Sequence, residues 1–178
     1  MIADLEQTEF ELKGIKFDIG APVTGAVSIK DSIAASFGDG TVRLFRSDLE
    51  PYVVKAHTGV VLCMTSNGEY IFTGGDDGRF LQISLNGDVE EIANFGSRWV
   101  DTIAVHNDNL VCSSGSTAYV WSEGIKKPKL LEHSSTVGGI AIDQNGRRIA
   151  VSCYGGVTVW RLGDKRWKSS KFAWKGSH

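Results

Sequence analysis

"GDDGRFLQI", Gly75 to Ile83, is a tight turn followed by a short apolar run that ends on a bulky side chain. The same phrase stands at three other places: "GDGTVRLF" at 38–45, "SGSTAYVW" at 114–121 and "YGGVTVW" at 154–160. The closing residues Phe45, Ile83, Trp121 and Trp160 are 38, 38 and 39 residues apart. A fixed period of that length marks one supersecondary unit repeated in tandem.

Other features keep the same phase. His57 follows Phe45 by twelve residues and His133 follows Trp121 by twelve, with Phe95 at the equivalent place between them. Pro51 and Pro128 open the segments that lead to the two histidines, where a missing N–H is tolerated only on an edge strand. Polar pairs at Lys30-Asp31, Asn67-Gly68, Asn107-Asp108 and Asn145-Gly146 sit between apolar runs, as hairpin connections require. Each unit therefore reads as four short strands. No segment holds a sustained 3.6-residue period, and β-branched residues crowd "TVRLF", "EYIFT", "RRIAVS" and "VTVW", so the fold class is all-β. A small twisted sheet cannot bury both faces alone and must stack on copies of itself. The expectation is β-propeller blades of four antiparallel strands, about four of them. Blade one spans 20–57, blade two 58–95, blade three 96–133 and blade four 134–178. The last range also holds the start of a truncated fifth blade, and residues 1–19 form an N-terminal segment that is a possible outer strand.

The stretch from Ala56 to Ile83, "AHTGVVLCMTSNGEYIFTGGDDGRFLQI", resembles a WD repeat, and the resemblance to the WD-repeat β-propeller family extends over roughly residues 20 to 162. Kelch propellers share the double glycines of Gly74-Gly75 and Gly155-Gly156, but their period of about 50 is too long. The departures are plain, since Trp121 is followed by Ser122 and Trp160 by Arg161, and the first two blades end in Phe45-Arg46 and Ile83-Ser84. The resemblance implies a hydrogen-bonded set at each blade joint, where an unmet polar group costs about 1–3 kcal/mol. Carried over residue by residue, blade two offers His57, Thr73 and Asp77, with Ile83 in place of Trp. Blade four offers His133, Ser152 and Trp160 and has no turn Asp. Blade one keeps Asp39 without a His, and blade three keeps Trp121 but has Phe95 for the His. With sets this incomplete, apolar stacking is expected to dominate the joints.

The chain of 178 residues is 42% apolar and carries a net charge of −2, ordinary globular values that make no general case for nucleic acid. Cys63, Cys112 and Cys153 lie in apolar runs and read as buried reduced thiols. "MIADLEQTEFEL" lacks the basic and apolar regions of a signal peptide, and no run approaches 18 apolar residues. A cytoplasmic protein without membrane contact is expected. Gly-x-Ser-x-Gly, the Walker loop, His-Glu-x-x-His and Cys-x-x-Cys are absent from the sequence, so catalysis has no foothold. His57 with Asp77 and Thr73 is better read as a blade joint than as a catalytic set. "DDG" at 76–78 lacks the alternating acids of a calcium loop, and no cofactor or metal is expected.

The function expected is a non-catalytic scaffold that holds protein partners on loop surfaces. "GSRWVD", 96–101, supplies the partner-binding candidates Arg98 and Trp99, both common hot-spot types, although Trp99 reads equally as core. The alternative is a nucleic-acid-binding module. Residues 161–178 hold Arg161, Lys165, Arg166, Lys168, Lys171 and Lys175 against Asp164 alone, interleaved with Trp167, Phe172 and Trp174. Gly176-Ser177-His178 falls where a fifth repeat would open, unless it is a vector-derived tail. The resemblance implies rings of seven blades, so the chain is expected to be an open arc or the N-terminal part of a larger ring, with self-association through its unpaired faces.

Overall fold

The computed structural model describes residues 8–46, 50–122, 127–163 and 167–174. Four four-stranded antiparallel sheets follow one another along the chain, each made of four consecutive strands in sequence order. Blade one contains β1 (Val23–Ile29), β2 (Ser32–Phe37), β3 (Thr41–Phe45) and β4 (Tyr52–Lys55). Blade two contains β5 (Val61–Ser66), β6 (Ile71–Gly75), β7 (Arg79–Ile83) and β8 (Val89–Asn94). Blade three contains β9 (Ile103–His106), β10 (Asn109–Ser114), β11 (Thr117–Trp121) and β12 (Lys129–Glu132). Blade four contains β13 (Val137–Ile142), β14 (Arg148–Cys153), β15 (Gly156–Arg161) and β16 (Ser169–Ala173). The first strands approach one another in the order β1, β5, β9, β13 and form the inner rim. Among the described residues the first and last sheets make no joint, so the arc is open.

Three clusters fill the three joints. Ile29, Ala34, Val42, Leu44 and Val54 of blade one meet Ile71, Leu81 and Ile83 of blade two. Phe72 and Phe80 of blade two meet Cys112, with Tyr119 and Trp121 packed against them, from blade three. Val111, Ala118, Val120 and Leu131 of blade three meet Val137, Ile149 and Val151 of blade four. The middle joint is aromatic, with ring centroids 5.7 Å apart for Phe80 and Trp121 and 4.5 Å for Phe95 and Tyr119. Offset aromatic pairs of this kind add about 0.5–1.5 kcal/mol to the area they bury.

The hairpin turns fall on the polar pairs named above, and Lys30 and Asn107 take the left-handed backbone conformation there. The turns between second and third strands are tied to the next inter-blade connection. Gly40, at φ +81°, gives its carbonyl to the N–H of His57 at 2.9 Å, and Gly78, at φ +77°, does the same for Phe95 at 2.8 Å. Positive φ and the closeness of the connecting backbone both require glycine at these two places. Of residues 1–19, read as a possible outer strand, residues 1–7 lie outside the described residues, and the remainder holds a short helix, α1 (Glu9–Lys13). Blade four already has its own fourth strand in β16, which leaves no vacancy for an N-terminal one. The fifth-blade reading of Gly176-Ser177-His178 lies outside the described residues. Among the described residues no helix is long and apolar enough to cross a membrane.

Phe80 is fully buried between two blades, whereas Val53 is 46% exposed on the outer side of blade one. Phe80→Ala is expected to cost about 3–5 kcal/mol, and Val53→Ala to change stability by no more than about 0.5 kcal/mol. Urea unfolding of the two variants checks the contrast.

Candidate functional site

His57, Thr73 and Asp77 come together as the sequence implied. The carboxylate Oδ1 of Asp77 lies 2.8 Å from His57 Nδ1, and Thr73 Oγ1 lies 2.9 Å from Nε2. A carboxylate only accepts, so Nδ1 carries the proton and Nε2 accepts from the Thr73 hydroxyl. Asp77 also accepts from the backbone N–H of Thr58 at 3.0 Å and of Arg79 at 3.2 Å. Gly75 has to be glycine here, because a side chain would strike the His57 ring. The His57 side chain is 0% exposed, so its ring is closed to a substrate and serves the joint. Burial lowers the His57 pKa, against the pull of Asp77. The Asp77 carboxyl is also held below its usual value, where burial, which raises it, is outweighed by the hydrogen bonds from His57 and the backbone.

Blade four does not repeat this set. In blade two, Cys63 faces Gly74 and Met64 faces Thr73; in blade four, Gly139 faces Ser152 and Ile140 faces Val151. The counterpart of Thr73 is therefore Val151, and Ser152 is one residue along, on the opposite side of the sheet. A one-residue offset in a strand exchanges the faces. Ser152 Oγ instead reaches the Gly139 carbonyl at 3.4 Å. The backbone of His133 repeats that of His57, its N–H donating to Ser116 O at 2.9 Å. Its ring meets Trp160 edge-on at 6.3 Å, and His133 Nε2 and Trp160 Nε1 are both buried without a partner. His133, Ser152 and Trp160 are thus not one hydrogen-bonded set. In blade one Asp39 takes the position of Asp77 and accepts from Thr41 and Arg43.

None of the three cysteines is in a disulfide, and Cys112 and Cys153 are buried. Burial pushes the Cys63 thiol up to about 12 and that of Cys112 well above its ordinary value, which keeps both protonated and unreactive. Among the described residues no three His, Cys, Asp or Glu side chains gather as a metal site.

The partner-binding candidates lie on a pinned loop. Phe95 N–H donates to Gly78 O at 2.8 Å, Gly96 N–H to Asn94 Oδ1 at 2.9 Å and Val100 N–H to Gly75 O at 3.0 Å. Val100 is the buried member of this stretch, while Trp99 is 60% exposed, so Trp99 is not core. The Arg98 guanidinium lies 6.0 Å from the Phe95 ring centroid. The same end of the sheets carries two aromatic residues that the sequence reading did not single out for this role. Tyr154, in the turn between β14 and β15, is 66% exposed. Trp174 is 42% exposed and is held beside that turn by its N–H to Gly155 O, 3.1 Å. The recurring turn position of "YGG" was the signal that points to Tyr154.

The basic C-terminal stretch forms no single stripe. Lys165, Arg166 and Lys175 lie outside the described residues. Trp167 packs against the core of the last joint. In β16, Lys171 stands opposite Thr158 and Phe172 opposite Val157, on alternate faces, and Lys171 is the cation that helps to lower the His133 pKa after burial.

Thr73→Val leaves His57 Nε2 buried without a donor and is expected to cost about 1–3 kcal/mol. Lowered folded-state values at His57 and His133 mean that the unfolded chain binds more protons in acid. Their contribution is complete above about pH 6.5 and is lost as pH falls from there through the folded-state values. The urea midpoint is expected to be lower at about pH 5.5 than at about pH 7.5; an equal or higher one contradicts the assignment.

The WD domain, G-beta repeat model matches residues 50–81, which contain the His57–Thr73–Asp77 set. No curated protein matches the chain. Among solved structures, the crystal structure of the computationally designed Ika4 protein is similar, with a TM-score of 0.59 at 18% identity, over 86% of this chain and 91% of that one. That likeness shows the fold. Residues 50–81 match a WD40 repeat, and the chain around them folds as an open four-bladed β-propeller arc.

Proposed function

We propose that this chain is a non-catalytic interaction scaffold whose partner surface is the end of the arc that carries Arg98, Trp99, Tyr154 and Trp174. The single observation that carries the reading is Trp99, 60% exposed on a loop whose two ends are fixed by backbone hydrogen bonds. A large rigid ring held in water is unfavourable for the free protein and costs little conformational entropy when a partner covers it. Arg98 beside it adds a directional donor set. WD40 repeats in general serve protein interaction, which agrees with this reading. The partner is expected to be a protein with an apolar, hydrogen-bond-accepting surface, met in the cytoplasm. The nucleic-acid alternative lacks support, because Trp167 is spent on the core and Lys171 and Phe172 face opposite ways.

Trp99→Ala is expected to weaken partner binding by about 2 kcal/mol or more, roughly thirtyfold, with the unfolding midpoint unchanged. Quantitative affinity capture compares wild type, Trp99→Ala, Tyr154→Ala and Asp108→Arg, the last in a turn at the opposite end of the sheets. Proteins lost with the first two variants and retained with the third support the surface. Equal recovery with all four rejects it.

A further inference from the structure

The joint between blades three and four keeps buried polar atoms that the joint between blades one and two satisfies. His133 Nε2 and Ser135 Oγ, on the connection 133–136, and Trp160 Nε1, on β15, are all buried without a hydrogen-bond partner. In the first joint, His57 Nε2 meets the Thr73 hydroxyl at 2.9 Å and Nδ1 meets the Asp77 carboxylate at 2.8 Å. Val151 stands at the ladder position of Thr73, so the third joint lacks that hydroxyl. The turn Tyr154-Gly155 brings no carboxylate in place of Asp77. An indole N–H only donates, so Trp160 cannot accept from the His133 ring.

The two connections are also tied down unequally. Between blades one and two, Thr58 N–H donates to Asp77 at 3.0 Å, and Arg79 donates to the Ala56 carbonyl at 3.0 Å. Asp76 N–H adds a bond to the Val60 carbonyl at 3.1 Å. Between blades three and four, His133 N–H donates to Ser116 O at 2.9 Å and Val137 N–H to Gly115 O at 3.0 Å. Ser134, Ser135 and Thr136, which lie between them, make no hydrogen bond among the described residues. The charges nearby do not compensate. Lys171 of β16 adds to the effect of burial in lowering the His133 pKa. Lys129 and Glu132 lie exposed on β12, with Glu132 opposite Thr117 on the ladder. Cys153, at the end of β14, brings a thiol, which accepts only weakly.

We infer that the connection 133–136 is an acid-sensitive latch: a second proton on His133 creates an N–H that the third joint cannot accept, and the connection comes away from the joint. In the released state the ring reaches water, where it takes its proton at about pH 6.5. Release is therefore least favourable above that value and gains as pH falls through it. The first joint is built differently, because the Thr73 hydroxyl turns from donor to acceptor and Asp77 keeps its bond when His57 is protonated. The second joint has Phe95 at this place and no proton to take.

Residue-resolved amide exchange of the whole chain tests this, with each rate compared with the intrinsic rate at the same pH. Protection of the His133 and Val137 N–H groups is expected to fall about three- to tenfold between about pH 7.5 and about pH 5.5, tenfold being the ceiling for one proton taken up at about pH 6.5. The Phe95 N–H, bound to Gly78 O in the second joint, is expected to keep its protection within about twofold. His133→Phe, which supplies the residue that the second joint uses, is expected to remove the pH dependence at Val137. Val151→Thr is expected to reduce it by restoring the hydroxyl. Equal protection of Val137 at both pH values overturns the proposal, as does a fall that His133→Phe leaves unchanged. An equal fall at Phe95 overturns it too, since the opening is then global. If His133→Phe does not fold, Val151→Thr decides, and an unchanged fall in that variant overturns the latch.

Discussion

A four-stranded sheet with apolar residues on both sides has to be covered twice, and everything else in this molecule answers to that. In β10 and β11 the alternation is explicit: Val111 and Val120 point to blade four, while Cys112, Tyr119 and Trp121 point to blade two. Neither face of such a sheet resembles a solvated one, so no blade is stable singly. Stacking sheets along a shared inner rim covers both faces of every interior blade. The 38-residue period is the chain length that one such sheet and its connections consume.

The three joints meet the same constraint by different chemistry. The first adds a buried His–Thr–Asp set to its aliphatic cluster, the second is built from aromatic rings, and the third packs aliphatic residues under an edge-on histidine. A hydrogen-bonded set fixes register more sharply than apolar packing does, but each member has to be satisfied. Phe95 in place of a histidine removes one such obligation, and Ser114, at the ladder position of Gly75, is then left buried with an unpartnered hydroxyl. Phe95 packs instead against the Tyr119 ring, with centroids 4.5 Å apart.

The fold was legible because the period, the turn residues and the β-branched runs all pointed the same way. His57, Thr73 and Asp77 were legible for the same reason, since spacing alone sets them on one face of one joint. Ser152 was misplaced because the blade-four turn is shorter than "GGDDG", and counting back from the turn lands one residue off. Only the ladder, through the shared irregularity after Val61 and Val137, restores the match of Thr73 to Val151. Trp99 was ambiguous for a different reason. Its loop has no periodic pattern, and either it or Val100 had to fill the gap beneath the connection. The smaller side chain fits against Gly74, where there is no space for more.

Edges and faces of the arc are treated differently by the sequence. The outer strands expose backbone that invites pairing with other chains. Lys55 on β4, Glu90 and Glu91 on β8, Lys129 and Glu132 on β12 and Lys171 on β16 place charge along each of them. The side edges are therefore guarded against strand addition. The terminal faces are not guarded in the same way: on the blade-four face, charge stays at the rim while Val157, Val159 and Phe172 occupy the middle. Charge at the centre of a face would forbid stacking, whereas charge at its rim only selects what stacks. Arg43 shows the contrast on blade one, where it lies over the Phe37 ring and pairs with Asp39. Charge therefore reaches the middle of the blade-one face through Arg43, opposite Ala35 and Val53, whereas on the blade-four face it stays at the rim.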